Sequence, residues 1–344
     1  MLRVLIVDDT VLYRKILSDI LGAMSGVEVV GTAANGKIAL DKVRQLSPDL
    51  ITLDFVMPVM DGMETLVQLN AQYPNIKVLM VSSRSQAGAQ VTLSALSSGA
   101  FDFVTKPAEG DWKASQENLD AQLREKLRPL LRADAVASAF TKPPSVIKAV
   151  LPTQRIDIVA IGISTGGPKA LAQMIPQLPG NLRVPVVIVQ HMPAMFTAAL
   201  AQSLDTQSAL TVHEGKDGQM LQAGHVYLAP GGKQMRLAKS GALVKIEITN
   251  DPPENFCKPA VDYLFRSVAD VYGARALGVI MTGMGADGTR GMQVMKQHGV
   301  PSLAQDKATS VVYGMPQEAF KAGVIDLVLP LEKIADEIAR VSAR

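Results

Sequence analysis

Ile156-Asp157-Ile158-Val159-Ala160-Ile161 is an apolar, largely β-branched stretch that leads directly into Gly162-Ile163-Ser164-Thr165-Gly166. Such a stretch predicts a buried strand, and a serine flanked by glycines just after it fits the G-x-S-x-G pattern of a nucleophile elbow. Gly167-Pro168 then predicts the start of a helix, because proline suits the first helical position. The sequence therefore predicts a strand–turn–helix unit of a parallel α/β sheet, with the hydroxyl of Ser164 exposed in the turn.

Two later stretches place polar residues in the same way. Val186-Val187-Ile188-Val189 comes just before His191, and Leu277-Gly278-Val279-Ile280-Met281 comes before a glycine-rich turn that contains Asp287. Because loops at the carboxyl ends of parallel strands converge on one crevice, we expect these two side chains to meet Ser164 there. A serine, an imidazole and a carboxylate make a nucleophile, its general base and the group that orients the base. Since such a triad is defined by geometry rather than chain order, the sequence predicts a serine hydrolase.

Two backbone amides are candidates for binding an oxyanion beside Ser164. Thr165 lies at the start of the helix that follows the serine, where free N–H groups point outward. Met284 lies in the glycine-rich turn before Asp287, and glycines there let the backbone come close to the site. We therefore expect Thr165 and Met284 to stabilise the charge that develops on the substrate carbonyl.

A phosphate-binding loop is the competing interpretation of residues 162–167. The G-x-x-x-x-G spacing is present, but the Lys-Ser/Thr pair that should follow is missing, and no acidic residue ends the next strand to hold a ribose. Taken alone, His191 could equally be a structural histidine, and Asp287 a turn residue. The hydrolase prediction depends on the three segments together.

The first third of the chain carries a different group of polar residues. Residues 2 to about 122 alternate five short strands with five helices, the last beginning at Glu117, which predicts a doubly wound parallel sheet. The polar residues that follow its strands at one edge are Asp8, Asp9, Asp54, Ser82 and Lys106. Crowded carboxylates favour a hard divalent cation such as Mg²⁺, although each aspartate alone could be a helix cap. With Mg²⁺ and the Lys106 ammonium to neutralise charge, Asp54 could accept a phosphoryl group.

Composition limits the classes of protein to consider. The 344 residues are enough for two domains, and 48% are apolar, as in a globular protein with proper cores. A net charge of +2 gives no argument for nucleic acid. Cys257 is the only cysteine, so no internal disulfide can form, and we expect it to have no role. Without a signal-like start or a long apolar run, the protein is expected in the cytoplasm, without membrane insertion.

The N-terminal motifs resemble the receiver domain of two-component response regulators. The segments that carry the resemblance are Val7-Asp8-Asp9, Asp54 with Met57-Pro58-Val59-Met60-Asp61-Gly62, and Thr105-Lys106-Pro107. The resemblance implies that Asp54 accepts phosphate from a histidine kinase, and that Asp8 and Asp9 hold Mg²⁺ together with Asp54. It assigns the conformational readout to three further residues: Ser82, Phe103 and Lys106.

The C-terminal motifs resemble the catalytic domain of the chemotaxis-type protein-glutamate methylesterases, from about Ile156 to Leu329. These motifs are Ser164-Thr165-Gly166-Gly167-Pro168, Gln190-His191-Met192-Pro193 and Thr282-Gly283-Met284-Gly285-Ala286-Asp287-Gly288. The resemblance implies a phosphorylation-activated enzyme of chemotaxis adaptation. Its reactions would be the hydrolysis of glutamate methyl esters on chemoreceptors, with release of methanol, and the deamidation of receptor glutamines. We expect no cofactor or metal in this domain.

The sequence as a whole predicts two doubly wound α/β domains. We expect a flavodoxin-like receiver with five parallel strands in residues 1–122, a linker in 123–153, and a Rossmann-like, mostly parallel catalytic domain in 154–344. The rival hypothesis is a response regulator that docks on a receptor array as a non-catalytic adaptor. A DNA-binding regulator is disfavoured because no basic helix-turn-helix pattern follows the linker.

Overall fold

The computed structural model describes residues 1–83, 85–106, 112–136, 151 and 154–343. The chain divides into two compact units, Met1–Pro143 and Pro144–Arg344. The predicted linker, residues 123–153, begins inside a helix of the first unit, and most of its remainder lies outside the described residues. The boundaries at 122/123 and 153/154 therefore stay a prediction.

The first unit contains one five-stranded parallel sheet, which confirms the predicted flavodoxin-like fold. Its strands are β1 (Leu2–Val7), β2 (Val27–Ala33), β3 (Leu50–Asp54), β4 (Lys77–Ser82) and β5 (Asp102–Thr105). They are arranged in the order β2-β1-β3-β4-β5, with β1 and β3 side by side. Because the chain crosses from one side of β1 to the other at this point, the carboxyl ends of β1 and β3 border a crevice.

Five helices alternate with these strands along the chain. They are α1 (Val11–Gly22), α2 (Gly36–Leu46), α3 (Gly62–Gln72), α4 (Gln86–Ser97) and α5 (Trp112–Val136). Side chains cap three of the helix starts, because Asn35, Asp61 and Ser85 accept hydrogen bonds from backbone N–H groups of the first turn. These caps fix where each helix begins after the loop at the carboxyl edge of the sheet.

Helix α5 begins earlier than the sequence predicts. The predicted start is Glu117, whereas the helix spans Trp112–Val136. Leu119, Leu123 and Leu127 recur every four residues and are all buried, so they form an apolar stripe along one face. This stripe carries the helix past residue 123, into the segment that the sequence predicts to be a linker with a partly helical start.

The second unit contains a seven-stranded parallel sheet and a separate hairpin, which confirms the predicted mostly parallel fold. The sheet strands are β6 (Ile158–Ile163), β7 (Val186–Gln190), β8 (Thr211–Glu214), β9 (His225–Leu228), β12 (Ala276–Ile280), β13 (Ser302–Gln305) and β14 (Leu327–Leu329). The hairpin pairs β10 (Gln234–Ser240) with β11 (Leu243–Thr249). In the sheet order β14-β13-β12-β6-β7-β9-β8, the strand β6 lies between β7 and β12, and every residue of these three strands is buried.

The helices of the second unit follow the ends of its strands. They are α6 (Gly167–Met174), α7 (Ala194–Asp205), α8 (Val261–Tyr272), α9 (Thr289–Gln297), α10 (Met315–Lys321) and α11 (Leu331–Ser342). Short 3₁₀ turns follow α6 at Ile175–Gln177 and α8 at Gly273–Arg275. Among the described residues, no helix combines the length and the hydropathy that a membrane span requires.

Candidate active site

Ser164, His191 and Asp287 all follow the three central strands of the second sheet. Ser164 comes directly after β6, and its N–H donates to the Thr282 carbonyl beyond β12 at 2.9 Å. On the other side, the N–H of His191 donates to the Ile163 carbonyl at 3.3 Å. Backbone hydrogen bonds thus join β6 to both β7 and β12 as far as the loops that carry the predicted site residues.

The turn after β6 has the sharp backbone that an elbow requires. Gly166 has a φ of +78°, which a residue with a side chain rarely adopts. Gln190 donates from Nε2 to the Ser164 carbonyl at 3.0 Å, and Thr282 donates from Oγ1 to the Thr165 carbonyl at 2.9 Å. Ser164 itself is only 2% exposed, so it lies in a crevice, as predicted, but is less exposed in the turn than the sequence suggests.

The structure brings His191 and Asp287 into direct contact. His191 Nε2 lies 2.8 Å from Asp287 Oδ2, and both side chains are largely buried. Because an ionised carboxylate can only accept, Nε2 carries the proton of this hydrogen bond, and in the neutral ring the lone pair lies on Nδ1. The other ring nitrogen is therefore the one that can act as a base.

The Asp287 carboxylate accepts from five donors among the described residues. They are His191 Nε2 (2.8 Å) and Val261 N (2.7 Å) at Oδ2, and Asn255 Nδ2 (2.9 Å), Asp262 N (3.1 Å) and Gly288 N (3.0 Å) at Oδ1. Burial acts to raise the pKa of Asp287, but the hydrogen bond and charge of His191 and these amides hold it below its ordinary value. The carboxylate therefore stays ionised at neutral pH.

Two residues of this arrangement are absent from the sequence analysis. Asn255 Nδ2 bridges Asp287 Oδ1 and Asp262 Oδ2, each at 2.9 Å. Asp262 in turn accepts from the Gly291 N–H at 2.7 Å, and burial together with the nearby charge of Asp287 raises its pKa. An acidic residue in the first turn of a helix such as α8 is common for electrostatic reasons alone, so its position carries no signal of a site.

Cys257 also lies in the site, although the sequence analysis expects no role for it. Its Sγ is 3.5 Å from His191 Nδ1, on the side of the ring opposite Asp287. Burial opposes a charge on the ring, but Cys257 and Asp287 on its two sides raise the pKa of His191 to about 10, so the ring must first give up its Nδ1 proton before that nitrogen can act as a base. A lone cysteine in a sequence gives no sign of such a contact, because nothing in its neighbours marks the turn that carries it.

The amides of Thr165 and Met284 are available to an incoming group. In the part of the chain that the structure describes, neither N–H donates to another residue. Thr165 is buried, whereas Met284 is half-buried in the turn after β12. Both amides therefore leave hydrogen-bonding capacity unused at the same edge of the sheet as Ser164.

The ligand atoms of His191, Cys257 and Asp287 lie within 4.8 Å of one another, a spacing that a metal ion could bridge. However, the sulfur and the carboxylate face opposite nitrogens of one imidazole ring. A single ion cannot therefore bind the ring in this orientation together with both neighbours. The absence of a metal from this unit stays a prediction.

The predicted carboxylate cluster of the first unit lies at the crevice beside β1 and β3. Oxygen atoms of Asp8, Asp9 and Asp54 lie within 4.8 Å of one another. Lys106 Nζ is 2.9 Å from both Asp8 Oδ2 and Asp54 Oδ2, and it lies 4.4 Å from the centre of the Tyr13 ring. Burial raises the pKa of Asp54, and the Lys106 ammonium only partly offsets this. A divalent cation would relieve the same unfavourable burial, so these oxygen donors fit Mg²⁺.

Ser82 and Phe103 occupy different positions relative to this cluster. Ser82 lies at the same sheet edge, but its hydroxyl is turned toward α4, where Thr92 Oγ1 donates to it at 2.7 Å. Phe103 is buried on β5, three residues before Lys106. Lys106 thus contacts the carboxylates of Asp8 and Asp54, whereas the Ser82 hydroxyl is hydrogen-bonded to Thr92. Pro107 lies outside the described residues.

Comparisons with known proteins match both units. The family model of the CheB methylesterase matches residues 159–338, and that of the response regulator receiver domain matches residues 4–112. A protein-glutamate methylesterase/protein-glutamine glutaminase of Desulfotalea psychrophila is 50% identical, covering 98% of this chain and 97% of that protein. One of Trichodesmium erythraeum is 44% identical, covering 98% of each.

A solved structure agrees with these relatives. The crystal structure of the Thermotoga maritima CheB methylesterase catalytic domain is 41% identical, with a TM-score of 0.53. The matched region is 55% of this chain and 100% of the Thermotoga maritima domain. The methylesterase family model falls on the unit that holds Ser164, His191 and Asp287, and the receiver model precedes it, in the order predicted from the motifs. The chain therefore belongs to the CheB methylesterase family, with a response regulator receiver domain ahead of its methylesterase domain.

Proposed function

We propose that this chain hydrolyses glutamate methyl esters on chemoreceptors to glutamate and methanol, and receptor glutamines to glutamate and ammonia. The observation that carries the proposal is the 2.8 Å contact of His191 with Asp287 beside the serine elbow. The names of the relatives supply the substrate class. The enzyme would act in chemotaxis adaptation, in the cytoplasm, with a chemotaxis histidine kinase as its phosphodonor.

The proposed reaction uses Ser164 as the nucleophile. His191 Nδ1 accepts the hydroxyl proton as the oxygen attacks the side-chain carbonyl of the substrate, and Asp287 stabilises the imidazolium that forms. The N–H groups of Thr165 and Met284, which have no partner among the described residues, would bind the tetrahedral oxyanion. His191 then gives its proton to the departing methanol, and water hydrolyses the acyl-enzyme by the same steps.

The amide reaction shares this site because an ester and an amide pass through the same kind of oxyanion. Ammonia is the poorer leaving group, so the glutamine substrate depends more on protonation by His191. We therefore expect deamidation to be slower than ester hydrolysis with the same residues in the same roles.

Methanol release from methylated receptors tests the proposal directly. We expect Ser164→Ala to lose activity on the order of 10⁴-fold or more while keeping its fold, because the hydroxyl is the reacting group. Circular dichroism of the variant controls for folding. A variant that keeps most of the activity would exclude this serine as the nucleophile, and a wild-type protein without turnover would favour the adaptor hypothesis.

We also propose that phosphorylation of Asp54 activates the hydrolase. Asp8, Asp9 and Asp54 would hold Mg²⁺, which supplies positive charge to the phosphoryl oxygens during transfer. Lys106, which already contacts Asp8 and Asp54, would bind a phosphoryl oxygen. The hydroxyl of Ser82 would leave Thr92 to bind another, and the readout would involve Phe103.

A further inference from the structure

Cys257 is the one nucleophilic side chain at the site that the proposed reaction does not use. Its thiol is the only one in the chain, and it is half-buried. The His191 side chain beside it is only 10% exposed, and Cys257 Sγ at 3.5 Å is the hydrogen-bonding partner of its Nδ1 among the described residues. The imidazole ring of His191 therefore lies between the Cys257 sulfur and the Asp287 carboxylate, with one ring nitrogen facing each.

A tight turn holds the sulfur in this position. Asn255 and Phe256 have φ values of +50° and +64°, and the backbones of Glu254 and Cys257 exchange hydrogen bonds of 3.1 and 2.7 Å across them. Asn255 ties the turn to Asp287, and Glu254 ties it to Arg266 of α8 at 2.5 Å. Phe256 at the tip is fully exposed and Cys257 is half-buried, so the turn lies at the surface and the cysteine is partly open to solvent.

The chemistry of this pair follows from the tautomer that Asp287 imposes. In the neutral ring, with its one proton on Nε2, the lone pair of Nδ1 faces Cys257, so this form of the ring can accept the thiol proton as sulfur attacks. A thiol beside a histidine is more reactive than an isolated one for this reason. The same lone pair is the one that Ser164 needs, so a group attached to Cys257 would lie against the general base.

We propose that Cys257 is a reactive thiol assisted by His191, and that its modification by a low-molecular-weight disulfide switches the hydrolase off reversibly. In the step, Cys257 Sγ attacks one sulfur of the disulfide, a new S–S bond forms and the old one breaks. The thiol proton passes to His191 Nδ1 and then to the departing thiolate, so the products are a mixed disulfide and one free thiol. The loss of activity, though not the thiol reactivity, rests on the proposed function.

The first experiment measures thiol reactivity without any assay of turnover. Full-length protein is treated with iodoacetamide at pH 7, and intact mass follows the adduct, which can form only at Cys257 among cysteines. We expect His191→Gln to react about tenfold more slowly or worse, because the base is lost. Ser164→Ala is the matched control and should react like wild type, since it keeps the Cys257–His191 pair.

Asp287→Asn is a second variant in case His191→Gln fails to fold, and it should also slow the reaction because the tautomer is no longer fixed. Denatured samples of all variants should react at one common rate. Equal rates for folded wild type, His191→Gln and Asp287→Asn would overturn the assisted thiol.

The second experiment uses glutathione disulfide and methanol release. Wild type should lose activity as the mixed disulfide forms and regain it with dithiothreitol, whereas Cys257→Ser should keep its own starting rate throughout. Persistence of full activity in protein whose mass shows complete modification would overturn the switch. A wild-type protein with no turnover before treatment would instead refute the proposed function, and the alkylation rates would still decide whether His191 assists the thiol.

Discussion

Five hydrogen bonds among the described residues hold the Asp287 carboxylate in place. Its two oxygens accept from a histidine, an asparagine and three backbone amides, two of which begin helix α8. Such a group can orient an imidazole because its own position is fixed from several directions. The ring of His191 is therefore held in one tautomer by the same contacts that hold the carboxylate.

We predict that Asp287→Asn lowers methanol release by up to about 10⁴-fold. An asparagine side chain has the same shape, but its NH₂ group donates where the carboxylate accepts. If Nε2 has to accept from this group, the ring proton moves to Nδ1, and the nitrogen that should act as the base is blocked. Initial rates of methanol release compare the variant with wild type. A loss of less than about tenfold would show that another group orients His191.

The raised pKa of His191 predicts how stability depends on pH. The folded protein holds this proton more tightly than the unfolded chain, in which the ordinary value is 6.5. Its stabilisation is therefore complete below about pH 6.5 and is lost as the pH rises toward about 10. Urea unfolding at several pH values should show this decline in wild type and a flatter profile in His191→Gln. Parallel profiles for the two proteins would contradict it.

Three segments of the second unit pack closely around Ser164: the turn after β12, the turn after β6 and helix α10. A Cβ at Gly283 would lie 2.8 Å from the Cβ of Ser164 and 2.3 Å from Met315 Sδ, so the β12 turn, the elbow and α10 meet there without spare room. This close approach explains why the turn after β12 needs glycine where it passes the serine. It also explains how a residue that follows β12 reaches the crevice beside β6.

We predict that Gly283→Ala lowers the free energy of unfolding by about 1–3 kcal/mol, through overpacking. Activity should fall further than stability suggests, because the displaced neighbour is the nucleophile. Urea unfolding and methanol release measure the two effects. Gly22→Ala is the control, since a Cβ there meets nothing within 4 Å, and it should be neutral or slightly stabilising. Wild-type stability and activity in Gly283→Ala would contradict the packing argument.

The elements that could be predicted are those whose signal is local. β-Branched runs before Ser164 and His191 indicate strands whichever way the sheet is ordered, and the convergence of their ends follows from parallel pairing. The turn at residues 254–257 gives no such signal, because its position depends on Asn255 reaching Asp287, a contact across 32 residues of sequence. The hydroxyl of Ser82 likewise depends on Thr92, whose role no pattern reveals.

Over the whole molecule, the two units repeat one design. Each is a parallel sheet whose functional side chains follow neighbouring strands at the carboxyl edge, and each holds a carboxylate next to a cationic or ionisable partner, Lys106 for Asp54 and His191 for Asp287. We propose that phosphorylation of Asp54 acts on the hydrolase through a change in the conformation of the receiver. The buried contacts of Asp54 and Ser82 supply groups that phosphorylation would rearrange.

We predict that a small-molecule phosphodonor with Mg²⁺ raises methanol release by the full-length protein and has no effect on Asp54→Asn. The physical reason is that a phosphoryl group on Asp54 would draw Lys106 and the Ser82 hydroxyl to it, and so change the surface of the receiver.

If the unphosphorylated receiver inhibits the hydrolase, deletion of residues 1–140 should raise basal activity. Circular dichroism of the truncated protein controls for its folding. Should the truncated protein be no more active than the unphosphorylated whole, inhibition by the receiver is excluded, and phosphorylation must act by recruiting the enzyme to its substrate.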